Sequence, residues 1–139
     1  MFSVPTKTQY GIRALVHLAK AESGSGDRAL ATSAEIATAE SISPKYLEGI
    51  MTQLKTAGLV LAERGKGGGF RLARDPSLIR MLDVVEALEG EIQPVGCMEN
   101  SRACAQEEGC LPRRFWIGLK AAIDDYLTSK TLKDVIEAL

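Results

Sequence analysis

Apolar residues recur at helical spacing in three segments near the start of the chain. Residues 9–21 predict a first helix, which the serines and glycines at 23–26 end. Thr32 and Ser33 precede Glu35 as an N-cap precedes a nearby acid, and this pattern predicts a short second helix.

The third segment has the strongest helical pattern. Pro44 suits a first helical position because that position needs no amide hydrogen, and Gly58 suits a C-terminal cap. Between them the apolar positions follow the spacing i, i+3, i+4 and i+7, with Leu47, Ile50, Met51 and Leu54. Two helices joined by a short turn can hold one helix against a DNA groove.

Two short runs with a strand pattern follow. Residues 59–62 and 70–73 are predicted strands, and the glycine-rich run 64–69 between them is a predicted hairpin tip. A two-stranded wing after a helix-turn-helix predicts a winged helix.

Beyond Pro76 the pattern changes again. A fourth helix, closed by Gly90, is predicted from the apolar positions Met81, Val84, Val85 and Leu88. Residues 91–109 are polar and show no helical or strand period, so we expect a loop.

A long helix is predicted from Pro112, with an apolar stripe that requires a partner. A final short helix over residues 132–139 would cover only part of that stripe, which consists of Trp116, Leu119, Ile123, Tyr126 and Leu127. The predicted fold is mainly α with a small β-wing, a winged helix-turn-helix with a long C-terminal dimerisation helix.

Length and composition suit one compact domain, since the chain has 139 residues of which 45% are apolar. Within it, residues 1–75 are expected to form the DNA-binding winged helix-turn-helix region. Residues 76–139 are expected to form the cysteine loop and the dimerisation helices. No run approaches the roughly 20 apolar residues that span a bilayer, and no signal-peptide pattern is present, so a cytoplasmic location without membrane contact is expected.

Charge is unevenly distributed although the net charge is only −1. Residues 1–75 hold ten lysines and arginines against seven acids, while residues 76–139 hold seven against eleven. The basic half favours contact with a phosphate backbone. On the third helix, the face opposite the apolar one is the candidate base reader, with a merely solvated surface as the alternative; its residues are Lys45, Glu48, Gly49, Thr52 and Thr56.

The glycine-rich run is best explained as a wing tip. Arg64 and Lys66 supply positive charge for a minor groove, and the glycines permit a tight reversal. A nucleotide-binding loop fits less well, because these glycines lead into a strand and no Walker lysine-serine pair follows them. A flexible turn without function is the remaining alternative.

The three cysteines, Cys97, Cys104 and Cys110, lie close together. Their spacing matches no zinc ribbon or finger, and an odd, clustered set in a cytosolic protein leaves a bound cluster, a thiol redox switch and inert cysteines open. His17, the only histidine, is expected to be structural. With no acid-base pair or phosphate loop near a cysteine, the chain is not expected to be an enzyme.

Several segments together resemble the IscR and NsrR family of iron-sulfur-binding winged-helix regulators, and the resemblance covers almost the whole chain. They are TKTQYGIRA at 6–14, ISPKYLE at 42–48, LKTAGLV at 54–60, RGKGGGFRL at 64–72, DVVEALEG at 83–90 and the cysteine loop before Trp116.

The resemblance implies a homodimer, crossed through the long helix, that binds double-stranded DNA at an inverted-repeat operator. Glu48 would read bases in the major groove and Arg64 would enter the minor groove. Thr6, Lys7 and Tyr46 would help to hold the DNA backbone. The full set of expected DNA-contacting residues is Thr6, Lys7, Ser43, Lys45, Tyr46, Glu48, Gly49, Arg64, Lys66 and Gly68.

The resemblance also implies that Cys97, Cys104 and Cys110 are ligands of a two-iron or four-iron cluster. The first cysteine gap is one residue longer than in the members that name the family. The positions of the family's fourth ligands hold non-ligands here, namely Gln9, Arg13 and Arg113, and His17, Glu107, Glu108, solvent or a small thiol stay open as substitutes.

The predicted function is a dimeric transcription regulator whose operator binding is modulated by this cluster, in response to iron-sulfur, redox or nitric oxide status. The alternative is a cluster-free regulator switched by cysteine oxidation or by a partner protein.

Overall fold

A computed structural model describes residues 3–25, 30–98 and 109–137. In these ranges the chain forms six α-helices and one two-stranded antiparallel sheet, which confirms a mainly α winged helix. The elements are α1 (Thr6–Ser25), α2 (Ser33–Glu40), α3 (Pro44–Thr56), β1 (Val60–Glu63), β2 (Gly69–Leu72), α4 (Met81–Glu89), α5 (Leu111–Ser129) and α6 (Leu132–Ile136), with 3₁₀ turns at Pro76–Leu78 and Gly96–Met98. None of the helices in these ranges is long and apolar enough to cross a membrane.

Side-chain caps set the start of α2 and α3. The Thr32 hydroxyl accepts from the Glu35 amide and the Glu35 carboxylate accepts from the Thr32 amide, forming a reciprocal capping box. The Ser43 hydroxyl accepts from the Tyr46 amide at 3.3 Å, with proline at the start of the helix as predicted.

Helix α1 is longer than predicted at both ends. The serine-glycine run near residue 24 does not end it, and the Ser23 hydroxyl donates to the Ala19 carbonyl at 3.1 Å within the helix. Serine is therefore accommodated in the last turns by back-bonding to the helix itself.

The wing strands are each displaced by one residue from their prediction. The Leu59 amide donates to the Leu54 carbonyl and so belongs to the end of α3, which makes Val60 the first strand residue.

The wing is attached to the rest of the fold at two places. Phe70 forms a bridge with Ala31, and the Leu72 amide donates to a Glu22 carboxylate oxygen on α1.

Helix α1 lies at the centre of the core and contacts α2, α3, α4, α6 and β2. Its residues Ala14, Leu15 and Leu18 are fully buried. The same cluster includes side chains from later in the chain, among them Ile79, Val84, Leu88 and Leu132.

Helices α5 and α6 pack against different parts of the fold. Four residues of the predicted α5 stripe are half-buried, but Tyr126 is 55% exposed. Helix α6 packs against α1 and the 3₁₀ turn Pro76–Leu78, where the Leu132 amide donates to the Ile79 carbonyl. Helix α4 packs against α5. That α6 covers part of the α5 stripe stays a prediction.

Two glycines of α1 provide a matched stability test. A Cβ at Gly11 would lie 2.3 Å from Leu88 Cδ1, whereas a Cβ at Gly24 meets nothing within 4 Å. Gly11→Ala is expected to destabilise the protein by about 1 to 3 kcal/mol through overpacking. Gly24→Ala is expected to stabilise it by about 0.5 kcal/mol through helix propensity. Urea unfolding measures both, and equal effects of the two changes would contradict the close packing of α1 against α4.

Candidate nucleic-acid interface and cysteine segment

The outer face of α3 is exposed along its length. Leu47, Ile50, Met51 and Leu54 are fully buried on the inner side. Lys45, Glu48 and Gly49, predicted from this periodicity, all lie on the exposed side. The helix thus presents two charged side chains and a bare stretch of backbone.

The charges on this face have no partners within the residues that the structure describes. Neither Lys45 nor Glu48 makes a side-chain hydrogen bond or ion pair there, so both are free to meet a ligand. The hydroxyls of Thr52 and Thr56 donate instead to carbonyls of α3, at 2.8 and 2.9 Å. The two threonine hydroxyls are therefore already bonded within the helix, whereas Lys45 and Glu48 are not.

The wing tip requires glycine for steric reasons. Gly65 and Gly67 have φ of 96° and 81°, and a Cβ at Gly68 would lie 2.3 Å from the Glu63 carbonyl oxygen. Gly68 is thus placed in the turn by backbone packing, whatever its role toward DNA.

The basic residues of the wing fall into two groups. Arg71, on β2, is paired with Glu63 at 3.1 Å. Arg64 and Lys66, at the tip, are exposed and have no ion pair in the described part of the chain. The two residues predicted for DNA contact are therefore the ones left available.

The first turns of α1 and α3 are brought together by two aromatic rings. Tyr10 and Tyr46 meet edge to face, with ring centroids 5.8 Å apart. This contact places Tyr46 near the end of α1 that carries Thr6 and Lys7, so three predicted backbone-contacting residues belong to neighbouring helix starts.

The contacts among Tyr10, Arg13 and Glu40, which hold these helix starts in place, were missed by the sequence analysis. Arg13 lies 5.7 Å from the Tyr10 ring centroid, and it donates to both a Glu40 carboxylate oxygen and the Glu40 carbonyl, at 3.0 and 2.8 Å. Arg13 therefore links α1 to the end of α2, where the helix-turn-helix turn begins. The sequence shows the i, i+3 spacing of Tyr10 and Arg13, but it does not show that Arg13 pairs with Glu40.

Two of the three cysteines can be located. Cys97 lies in the 3₁₀ turn Gly96–Met98 and Cys110 lies immediately before α5, and both are free, partly buried thiols. Cys104 lies outside the described residues, as do Glu107 and Glu108. Among the described residues no group of three histidine, cysteine, aspartate or glutamate side chains is close enough to hold a metal ion.

The positions considered for a fourth ligand are largely occupied by other contacts. The Gln9 side-chain amide donates to the Val4 carbonyl at 2.7 Å, and Arg13 is bound to Glu40. His17 Nδ1 lies 3.7 Å from a Glu40 oxygen, and Arg113 lies in α5. The located thiols suit iron chemically, and the other candidate side chains on α1 are engaged elsewhere.

Comparison with known proteins gives one consistent result. The profile of the Rrf2 family, described as "Iron-dependent Transcriptional regulator", matches residues 4–138. The regulator IscR of Cereibacter sphaeroides is 35% identical over 134 residues, covering 95% of this chain and 85% of that protein.

Solved structures of two CymR proteins also match nearly the whole chain. The Bacillus subtilis global cysteine regulator CymR matches with a TM-score of 0.81 and 32% identity, covering 100% of this chain and 99% of that one. The oxidized form of Staphylococcus aureus CymR matches with a TM-score of 0.76 and 29% identity, covering 98% and 97%.

Gly49 provides a test that separates stability from binding. A Cβ there meets nothing in the described structure, so Gly49→Ala is expected to stabilise the protein by about 0.5 to 1 kcal/mol through helix propensity. The same methyl group would obstruct close approach of α3 to a groove, and duplex affinity should fall. Thermal unfolding and a fluorescence-anisotropy titration measure the two effects. Gly24→Ala is the control, and undiminished duplex affinity in Gly49→Ala would contradict close approach at this position.

Proposed function

The chain belongs to the Rrf2 family of transcriptional regulators, and from that membership we propose that it is a homodimer whose operator binding depends on an iron-sulfur cluster. The observation that carries the DNA-binding part is the set of exposed, unpaired charges at the start of α3 and at the wing tip. Two other arginines of the winged helix, Arg13 and Arg71, are instead held in ion pairs.

Each group on this surface has a suitable partner in DNA. Lys45 can meet a phosphate or the acceptor edge of guanine, and Glu48 can accept from a cytosine amino group in the major groove. Arg64 and Lys66 at the wing tip suit the negative potential of a narrow minor groove. Thr6, Lys7, Ser43 and Tyr46 lie at helix starts, where they can position the phosphate backbone.

An exposed apolar face on α5 supports the homodimer. Leu111, Phe115 and Tyr126 are 71%, 67% and 55% exposed, and their spacing places them on one side of the helix. Gly118 lies on the same side, and a Cβ there would meet nothing within 4 Å. Two copies of α5 crossing at this face would bury it and present two winged helices to an inverted repeat, with half-sites about 34 to 36 Å apart per helical turn.

Cys97, Cys104 and Cys110 are the residues that would hold the cluster. Support comes from the two free thiols at either end of the segment and from the iron-dependent description of the family. When bound, the cluster would supply iron that reacts with oxidants and nitric oxide. The chain's own residues bring the signal to the DNA surface, because Cys110 directly precedes α5 and Cys97 follows α4.

A cluster-free regulator is the second candidate. It is favoured by the presence of two free thiols among the described residues and by similarity to a cysteine regulator that was crystallised in an oxidized form. In this case thiol oxidation, or a partner protein, would supply the signal.

Substitutions at the two DNA-facing elements test the binding surface. Arg64→Ala is expected to weaken binding by about 1 to 3 kcal/mol, because a minor-groove cation is lost. Glu48→Ala is expected to relax base preference rather than abolish binding. Selection of duplexes from a random pool, followed by titration at several salt concentrations, measures both.

Lys133→Ala is the matched control, because it removes a positive charge on α6, where Lys133 pairs with Glu137. The DNA surface would have to lie elsewhere if Arg64→Ala and Glu48→Ala both behaved like this control.

Metal content distinguishes the two signalling candidates. Protein purified without oxygen is expected to contain iron and sulfide and to absorb visible light, and Cys97→Ser should lose most of both. DNA titration before and after iron removal then measures the response. A colourless, iron-free preparation that still responds to mild oxidant, with a matching loss of free thiols, would favour the cluster-free regulator.

A further inference from the structure

Thr8, in the first turn of α1, is a buried polar residue with one specific partner. It is 1% exposed, and its hydroxyl donates to a Glu89 carboxylate oxygen at 2.7 Å. A buried hydroxyl without a hydrogen bond is costly, and a bond to a carboxylate is stronger than a neutral one. Thr8 therefore holds Glu89 at a defined position.

Glu89 is the last residue of α4 and compensates for a charge that α1 lacks. The first turn of α1 contains no acidic residue, and a carboxylate near a helix N-terminus is stabilising. One turn further along α1, Gly11 packs so closely against Leu88 that a Cβ would collide with it. The end of α4 is thus fixed against the start of α1 at two successive positions.

The residues just after Glu89 are bound to the other side of the molecule. Lys120 Nζ, on α5, lies 3.3 Å from a Glu91 oxygen and 2.7 Å from an Asp124 oxygen. The hydrogen bond to Asp124 raises the pKa of Lys120 against the opposing effect of burial, and Glu91 adds to the rise. Lys120 consequently stays charged at neutral pH and can hold Glu91.

Gly90 separates these two attachments and is the only residue between them. Its φ is 79°, a conformation that other residues adopt rarely, and its amide donates to the Glu86 carbonyl. Residues 89–91 therefore form a short, defined junction from which the chain continues to Cys97.

Resting on the function proposed above, we propose that Thr8 and Lys120 are positioning residues that couple Cys97 to the proposed DNA-binding surface. Thr8 connects the junction to the turn of α1 that carries Thr6 and Lys7, and Lys120 connects it to α5. A change at Cys97 would displace the junction and, through these contacts, the start of α1 and the orientation of α5. Because coupling is reciprocal, DNA binding must also change the surroundings of Cys97.

The test measures how DNA binding changes the alkylation rate of Cys97. Full-length protein is prepared both as purified without oxygen and after iron removal, and the form that binds DNA is treated under reducing conditions with iodoacetamide. The reaction is run with and without a saturating amount of a duplex selected from a random pool, and the Cys97 peptide is followed by mass spectrometry. For the unmodified chain we expect a change of at least about fivefold, within the range typical of coupled sites. Saturation keeps differences in affinity from entering the comparison.

Thr8→Val keeps the shape of the side chain and removes its hydrogen-bond donor. We expect DNA binding to change the alkylation rate of Cys97 less than about twofold in this variant. Lys120→Met should have the same effect through the other attachment. Thr8→Ser retains the hydroxyl and should preserve the full change. Thr128→Val, at an exposed position on α5, is the matched control and should behave like the unmodified chain.

The outcomes separate this inference from the proposed function. A chain that binds no duplex in either form, as purified without oxygen or after iron removal, would contradict the proposed function itself. Two results would overturn the coupling and leave DNA binding intact. The first is a chain that binds DNA without any change in the alkylation rate of Cys97. The second is a full change in that rate in both Thr8→Val and Lys120→Met. Thermal unfolding of each variant shows whether it is folded, and Thr8→Ala or Lys120→Ala, which remove the same two contacts, replace a variant that is not.

Discussion

The burial of α1 is the constraint on which the rest of the structure depends. This helix contacts α2, α3, α4, α6 and β2, and its residues Leu15 and Leu18 are fully buried among them. Protein interiors are packed as densely as organic crystals, so none of these elements can shift far without displacing the others. Helix α3, the wing and α4, which precedes the cysteines in the chain, are consequently all supported by α1.

Polar contacts around this support serve two different purposes. Glu22 holds the wing through the Leu72 amide, and Glu40 holds the helix-turn-helix turn through Arg13, so these carboxylates maintain the shape of the winged helix. Lys45 and Arg64 are left exposed, where a single charge costs little in water and can still displace counterions from DNA. A chain with net charge −1 can thus present a surface suited to a polyanion, because local pairing decides which charges are available.

Sequence patterns predicted the features that depend on neighbouring residues. Periodicity and caps located α3 and α4, and with them the exposed face that carries Glu48. Contacts between distant segments were missed, because the pairing of Arg13 with Glu40 exists only after α1 and α2 pack together. An apolar face identifies a helix that must be covered but not what covers it, so the packing of α6 against α1 could not be predicted from the sequence.

The placement of the cysteines between α4 and α5 matters because these two helices have different tasks. Helix α4 packs against α1 in the core, whereas α5 carries the exposed apolar face that the proposed dimer would bury. In the proposed dimer, an inverted repeat would fix the distance between the two winged helices, so a small rotation of α5 relative to α4 would be enough to alter affinity. Useful regulation requires about 1 to 3 kcal/mol of coupling. One hydrogen bond to a charged group contributes about 1.5 to 3 kcal/mol, so the few contacts at residues 89–91 are sufficient and no refolding of the winged helix is needed.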